Sequence, residues 1–443
     1  MLSFLDRRLH ALRRAPPDAE TLIEQARRRT GLDDFGDAPF REGLRVFLRA
    51  CAEEADLRLF GRLGTRWDTG RFLVNLLRLR DAERRAPAIL DEPIGAPIFI
   101  TGLPRSGTTF LHRLLAEDEA NRVPRVWQLI HPYPEPGGHD RRRQKVARQL
   151  RMFGMLAPEF RHMHPIGADS PQECSEITAH IFASLRFDST YFVPSYRHWL
   201  DDRGHLDAYR FHRRFLQHLQ YQSAGDRSAG DRSARDRSAG DRPGGDRPGG
   251  AGRWVLKCPD HVFALDEIRS VYPDARIVFV HRDPMRVLLS ATRLTEVLRR
   301  PFTRHVDRAA LGRQECERWG IGAGLIVEAA DREPFAEPIH HIHYRDLVGD
   351  PLGTVERLYR HFGLTLGTRA AARITRLTAA SPDGGYGANH YRFETFDIDP
   401  VAARERFAPY LARFAIDPER GGDRRGSAPA PILRPGRSAG IAP

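Results

Sequence analysis

Ile98-Phe99-Ile100-Thr101-Gly102-Leu103-Pro104-Arg105-Ser106-Gly107-Thr108-Thr109-Phe110-Leu111-His112-Arg113-Leu114-Leu115 begins as an apolar, β-branched run, turns through two glycines and closes with apolar residues at helical spacing. That order predicts strand, glycine-rich loop and helix. Such a loop wraps backbone N–H groups around an anion, and the helix N-terminus adds positive partial charge. The spacing from Gly102 to Gly107 is that of a nucleoside-triphosphate P-loop, but Thr108 stands where a lysine should follow the second glycine. Without that lysine the loop is poorly equipped for β- and γ-phosphates, although Arg105 can supply charge from another angle. An ordinary strand-to-helix turn would not need Arg, Ser and two Thr together.

Three further units repeat the pattern downstream. Trp254-Val-Leu-Lys257 reads as a strand followed by a helix from about Val262 to Val271. Arg276 to His281 reads as a strand, with a turn at Arg282-Asp-Pro and a helix through Ser290. Ile339 to Tyr344 is a fourth short strand. Buried apolar strands alternating with helices predict an α/β fold, a P-loop-like parallel sheet flanked by helices. Upstream, residues 18–90 carry apolar residues at helical spacing and no recognisable chemistry, so residues 1–93 are expected to form a helical N-terminal cap on a domain spanning 94–418. Within that domain, residues 223–250 repeat a five-residue unit of Ser, Ala, Gly, Asp and Arg with no apolar residue beyond alanine. A period this short cannot build a core, so a disordered surface insertion is expected, as is a disordered tail over 419–443.

The chain of 443 residues is 41% apolar, enough for a sizeable core, and its formal net charge is +12. That charge could suit nucleic acid, an anionic membrane or an anionic small ligand. In the repeat, however, Asp matches Arg almost one for one, which argues against an RNA-binding arm. No apolar run is long enough to span a bilayer, so no stable membrane insertion is expected. Met1 to Arg14 lacks the continuous apolar core of a secretory signal. Four scattered cysteines form no CxxC pair, which predicts neither zinc nor a disulfide framework and fits a cytoplasmic protein. The basic residues are almost all arginine, and the only lysines are Lys145 and Lys257. Where composition favours Arg so strongly, a lysine at a strand end points to a need for a compact ammonium.

Pro104-Arg-Ser-Gly-Thr-Thr109 resembles the 5′-phosphosulfate loop of sulfotransferases that use 3′-phosphoadenosine-5′-phosphosulfate (PAPS). The resemblance implies that Arg105, Ser106, Gly107, Thr108 and Thr109 hold the 5′-phosphosulfate. Arg282, at a strand end, and Ser290, eight residues on, resemble the family's 3′-phosphate pair. An arginine fork and a hydroxyl donor suit a phosphate dianion. Tyr344-Arg-Asp-Leu-Val-Gly-Asp-Pro351 resembles a third family segment, whose Tyr lies near the adenine; a tyrosine packed at a strand end is the competing reading. Pro158 to Cys174 and Trp254 to His261 are similar to a bacterial branch, and the similarity runs from about Thr30 to 415, with the repeat outside it. Cys258 departs from the Ser or Thr usual in relatives.

The function implied is sulfo transfer from PAPS to a hydroxyl of a small molecule by in-line displacement, releasing PAP and requiring no metal. Lys257 is the candidate for the bridging oxygen and sulfonate, where charge develops. His261, in a K-x-P-x-H segment, is the candidate general base, with Glu173 and His164 as rivals. His281 is expected to pack or touch phosphate. Phe160, Phe187, Tyr191 and Trp199 could line an apolar acceptor pocket or simply fill the core. A P-loop kinase would explain the glycine loop but leaves Thr108 and the Arg282–Ser290 pair unexplained. A nucleic-acid-binding protein would leave the loop motifs idle.

Overall fold

β1 (Ile98–Thr101) lies at the centre of a parallel sheet because Ile98, Phe99 and Ile100 are apolar and the strand is buried on both faces. The computed structural model describes residues 18–135, 139–156, 159, 166–235, 252–332, 337–380 and 392–419. The remaining strands are β2 (Asn121–Arg122), β3 (Arg253–Lys257), β4 (Arg276–His281) and β5 (His340–His343), in the order β2-β3-β1-β4-β5. Every pairing is parallel, with Ile100 opposite Lys257 on one side and Val278 on the other. The two-residue β2 is too short to leave a periodic signal in the sequence, whereas the other four strands fall where the sequence predicts short strands.

Alternation along the strands sends side chains into two cores. Ile98, Ile100, Val255, Val278 and Val280 pack with Leu111, Leu114 and Leu358 on one face. Phe99, Leu256, Ile277 and Phe279 face the other way, into a core shared with the N-terminal helices. Those helices are α1 (Ala19–Thr30), α2 (Arg41–Glu53) and α3 (Leu59–Arg85). Phe47, Phe72 and Leu76 join that core without a break, so the cap and one sheet face exclude water together.

α4 (Thr108–Leu115) follows the glycine loop. α5 (Arg142–Leu156) and α6 (Leu206–Arg235) belong to the long connection between β2 and β3. α6 runs on into the repeat as far as Arg235, so the first part of the segment expected to lack structure has a helical backbone. Ser, Ala, Asp and Arg can all extend an existing helix, and Pro243 and Pro248 come only later. Residues 236–251 and those from 420 onward lie outside the described residues. After β3 the expected helix start is replaced by a 3-10 turn, Pro259–Phe263, and the α-helix begins at Leu265. α7 (Pro284–Arg299) follows β4; Asp283 caps it by accepting from Met285 N, and Pro284 fits the first turn.

Candidate active site

In a parallel sheet the crossover connections leave a crevice beyond the strand C-termini, at the point where the chain changes direction. Here that point is β1, flanked by β3 and β4, and each strand end delivers a predicted residue. β1 leads into the loop 102–107, β3 ends in Lys257, β4 leads to Arg282 and β5 to Tyr344.

The loop has the tight geometry its glycines allow. Gly102 has φ +136°, and a Cβ there would lie 2.5 Å from the Val280 carbonyl oxygen. Gly107 has φ +100°, and a Cβ would come within 2.9 Å of the Tyr344 ring. Arg105 adopts φ +62° without being glycine. Such backbone cost is tolerated where surrounding contacts over-determine the conformation. Those contacts are present: Arg105 Nε donates to Ser290 Oγ at 3.2 Å, and its carbonyl accepts from Arg282 Nη1 at 3.0 Å. The loop and the Arg282–Ser290 pair are therefore one connected surface. Ser106 is fully buried and its hydroxyl oxygen has no hydrogen-bond partner. A buried hydroxyl left unpaired is costly and is rare in a native fold unless a ligand satisfies it.

Lys257 is 2% exposed. Its ammonium donates to Thr109 Oγ1 at 3.0 Å and pairs with Glu173. Glu173 is held in place from both directions. The amide of Cys174 donates to the carbonyl of Lys257 at 3.1 Å. The next turn carries Glu176, which is locked in a buried cluster with Arg71, Asp68 and Arg186 at 2.5–2.9 Å. Burial alone would push the Asp68 carboxyl up, but the two guanidiniums outweigh it and hold it at about 2. Removing one member of such a cluster would strand a buried charge, so the cluster fixes the turn that bears Glu173.

His261 is placed differently. It is 1% exposed, lies edge-on to Phe99 and shares a short hydrogen bond through Nδ1 with the Tyr209 hydroxyl, while its Nε2 has no partner. Burial drives its pKa well below the usual histidine range, with neighbouring His212 and Lys257 adding to the effect. Thus Glu173, not His261, is in contact with Lys257. His164 and Phe160 lie outside the described residues. Cys258 is buried, its amide bonded to the Ile100 carbonyl at 3.3 Å and its thiol held neutral by burial. Phe187 and Tyr191 pack with Phe47 in the core, and the partly buried Trp199 packs on Tyr196 at 5.7 Å, so core packing accounts for all three. His281 packs as well, stacked on Phe414 at 4.1 Å and bonded to His341 at 2.8 Å.

Tyr344 lies beneath Arg282, whose guanidinium carbon is 3.9 Å from the ring centroid. On its other edge Arg282 meets a carboxylate that sequence reasoning missed. Nε and Nη2 donate to Glu419 at 2.8 and 3.0 Å, a bidentate pair. The amide of Glu419 donates to Asp283 at 2.9 Å, and Arg345 pairs with Asp417 at 3.0 Å, which pins residues 417–419 across the site. No sequence signal marks Glu419, because it stands in a Gly-, Pro- and Arg-rich run beyond the last amphipathic helix.

Comparison with known proteins agrees with this geometry. A model of a sulfotransferase family matches residues 97–367. The crystal structure of sulfotransferase STF1 from Mycobacterium tuberculosis superposes with a TM-score of 0.73 at 30% identity, covering 89% of this chain and all of that one. Sulfotransferase STF9 from Mycobacterium avium superposes at 0.77 with 25% identity, covering 90% of this chain and 97% of that one. Among curated proteins, the omega-hydroxy-beta-dihydromenaquinone-9 sulfotransferase Stf3 of Mycobacterium bovis is 24% identical over 295 residues, 63% of this chain. The match spans 65% of that relative's length. With the glycine loop, the strand-end lysine and the arginine–serine pair all in one crevice, and with that match across most of the sheet domain, this chain belongs to the sulfotransferase family.

Proposed function

We propose that the chain transfers a sulfo group from PAPS to a hydroxyl group of an apolar small molecule, by in-line displacement with release of PAP. One arrangement carries this reading: Arg105 links the loop after β1 to both Ser290 and Arg282, joining two anion subsites into one. Residues 94–418 form the transferring unit under the cap of 1–93, working in the cytoplasm, where the four free thiols stay reduced. The unpaired Ser106 hydroxyl and the space that Gly107 leaves beside Tyr344 fit an anionic donor. Arg105 and Ser106 to Thr109 would hold its 5′ end, Arg282 and Ser290 its 3′-phosphate, and Tyr344 would flank the adenine side. The donor supplies an activated sulfo group, with PAP as its leaving group.

The chain's own residues supply the rest. Lys257 presents an ammonium where charge accumulates during transfer, already positioned by Thr109. Glu173 accepts the acceptor's proton. It is 30% exposed on its side chain, open to an incoming molecule, and its partner Lys257 can turn from it to the donor. A second reading gives the proton to His261, supported by its unpartnered Nε2. An apolar hydroxyl acceptor is in keeping with the omega-hydroxy menaquinone derivative in the name of the relative Stf3. The test is a screen of apolar alcohols with labelled PAPS. Label should pass to an alcohol, whereas transfer only from ATP would replace this reading with a kinase.

A further inference from the structure

Nine large apolar side chains are exposed among the described residues, and four of them gather on two neighbouring helices: Leu63 and Trp67 on α3, Met152 and Met155 on α5. Phe302 joins the two helices. Its ring stacks on Phe60 of α3 at 5.6 Å and on Phe153 of α5 at 6.4 Å. Phe60, Leu63 and Trp67 follow helical spacing, so the exposed pair continues the stripe that touches Phe302. Met155 is 74% exposed and Trp67 49%, and large apolar side chains exposed on one face mark an interaction surface.

The charge around them is one-sided. α5 carries five basic residues and no acidic one. Arg142, Arg143 and Lys145 are paired with Asp140, Asp169 and Glu135. Arg148 and Arg151 are exposed and have no carboxylate partner among the described residues. Arg148, Arg151, Met152 and Met155 follow one another at helical spacing, a stripe with two cations followed by two apolar tips. The α3 side of this face connects to the candidate site through buried contacts. Trp67 lies against Arg71, with 5.6 Å from ring to guanidinium carbon, and Arg71 pairs with Glu176, three residues on from Glu173.

We infer that this face docks on an anionic phospholipid bilayer. A tryptophan and methionines set among unpaired arginines suit the headgroup boundary, where apolar side chains insert and cations meet lipid phosphate. A second copy of the chain suits the face less well, since a two-fold contact would bring Arg148 and Arg151 against their own copies. On the sulfotransferase reading above, on which this consequence rests, docking presents the site to a hydroxyl-bearing amphiphile held in the bilayer.

The test is sedimentation of the full chain with vesicles of phosphatidylcholine alone or mixed with phosphatidylglycerol, at low ionic strength and without any donor. The chain should partition onto the mixed vesicles and far less onto phosphatidylcholine. Arg148→Gln with Arg151→Gln should weaken that partitioning on the order of 30-fold, from about 1 kcal/mol for each basic residue at an anionic surface. Trp67→Ser with Met155→Ser should weaken it too, and both double variants should melt like the wild type and bind PAP equally. Absence of wild-type partitioning, or an arginine variant that partitions unchanged, would overturn the inference. So would light scattering that shows a dimer abolished by Met155→Ser, which would make a second copy the occupant. Since vesicle binding needs no donor, its failure leaves the sulfotransferase reading standing, and a failure to bind PAP would count against that reading alone.

Discussion

Replacing Glu419 by glutamine should tighten the binding of PAP. The carboxylate of Glu419 occupies Nε and Nη2 of Arg282, the edge that a 3′-phosphate would need. Both side chains are about one-fifth exposed, 23% and 20%, so the pair lies between a surface ion pair and a buried one. Surface pairs contribute about 0–1 kcal/mol and charge-assisted bonds with little solvent about 1.5–3 kcal/mol, which places this pair at roughly 1–1.5 kcal/mol. A protein whose binding-competent arrangement is scarce binds more weakly in proportion to that scarcity, so the pair costs PAP about 5–10-fold in affinity. Glutamine keeps the shape and one neutral bond, so the expected gain is about 3–10-fold. Calorimetry with PAP would measure it, with 5′-AMP as the control that lacks the 3′-phosphate. The gain should shrink as salt is added, because the competing charge is partly screened. Equal PAP affinity in variant and wild type would refute the competition, and an equal gain for 5′-AMP would refute the assignment of Arg282 to the 3′-phosphate.

Lys257→Ala should lower turnover on the order of 10²–10³ while PAP affinity falls only modestly, and Lys257→Arg should stay impaired because a planar fork cannot replace one compact charge. Steady-state kinetics at saturating donor would test both, and wild-type turnover in Lys257→Ala would exclude the role given to that residue. Glu173→Gln should reduce turnover by about 10²–10⁴ and remove the acid limb of the pH–rate profile; if His261→Gln does this instead, the histidine is the base. Gly102→Ala should destabilise the fold by more than about 3 kcal/mol, since its Cβ would sit 2.5 Å from the Val280 carbonyl at a φ unsuited to alanine; urea unfolding would show it. Stability should also fall with acid. Burial pushes His112, His180 and His212 down to about 3, so the folded chain keeps them neutral while the unfolded chain takes up protons below about pH 6.5. Between pH 6.5 and 3 each can remove up to about 1.4 kcal/mol per pH unit, and urea midpoints flat across that range would contradict their burial as neutral rings.

What could be read from residue order was set over short distances. Strand, loop and helix at 98–115 are written in neighbouring residues: β-branched apolar side chains, glycines where φ must be positive, and then apolar residues at a period of 3.6. The eight-residue interval from Arg282 to Ser290 carries them from a strand end onto the next helix, so both reach the loop once the sheet forms. The resemblance of the loop and of this pair to sulfotransferases rested on the same local patterns. Three of the five parallel strands, β1, β3 and β4, were legible because burial on both faces leaves a largely apolar run, and β5 was legible as a short segment around Ile342. Only the tertiary structure decided which groups meet. Glu173 is 84 residues from Lys257 and Glu419 is 137 from Arg282, distances over which no periodicity constrains pairing. His261, four residues from Lys257, has a sequence neighbourhood that promises reactivity, but the packing of Phe99 and Tyr209 around it encloses the ring away from solvent. Burial depends on what the rest of the chain brings to a position. That is why local spacing marked the glycine loop, while the carboxylate paired with Lys257 and the one lying across Arg282 emerged only from the packed fold.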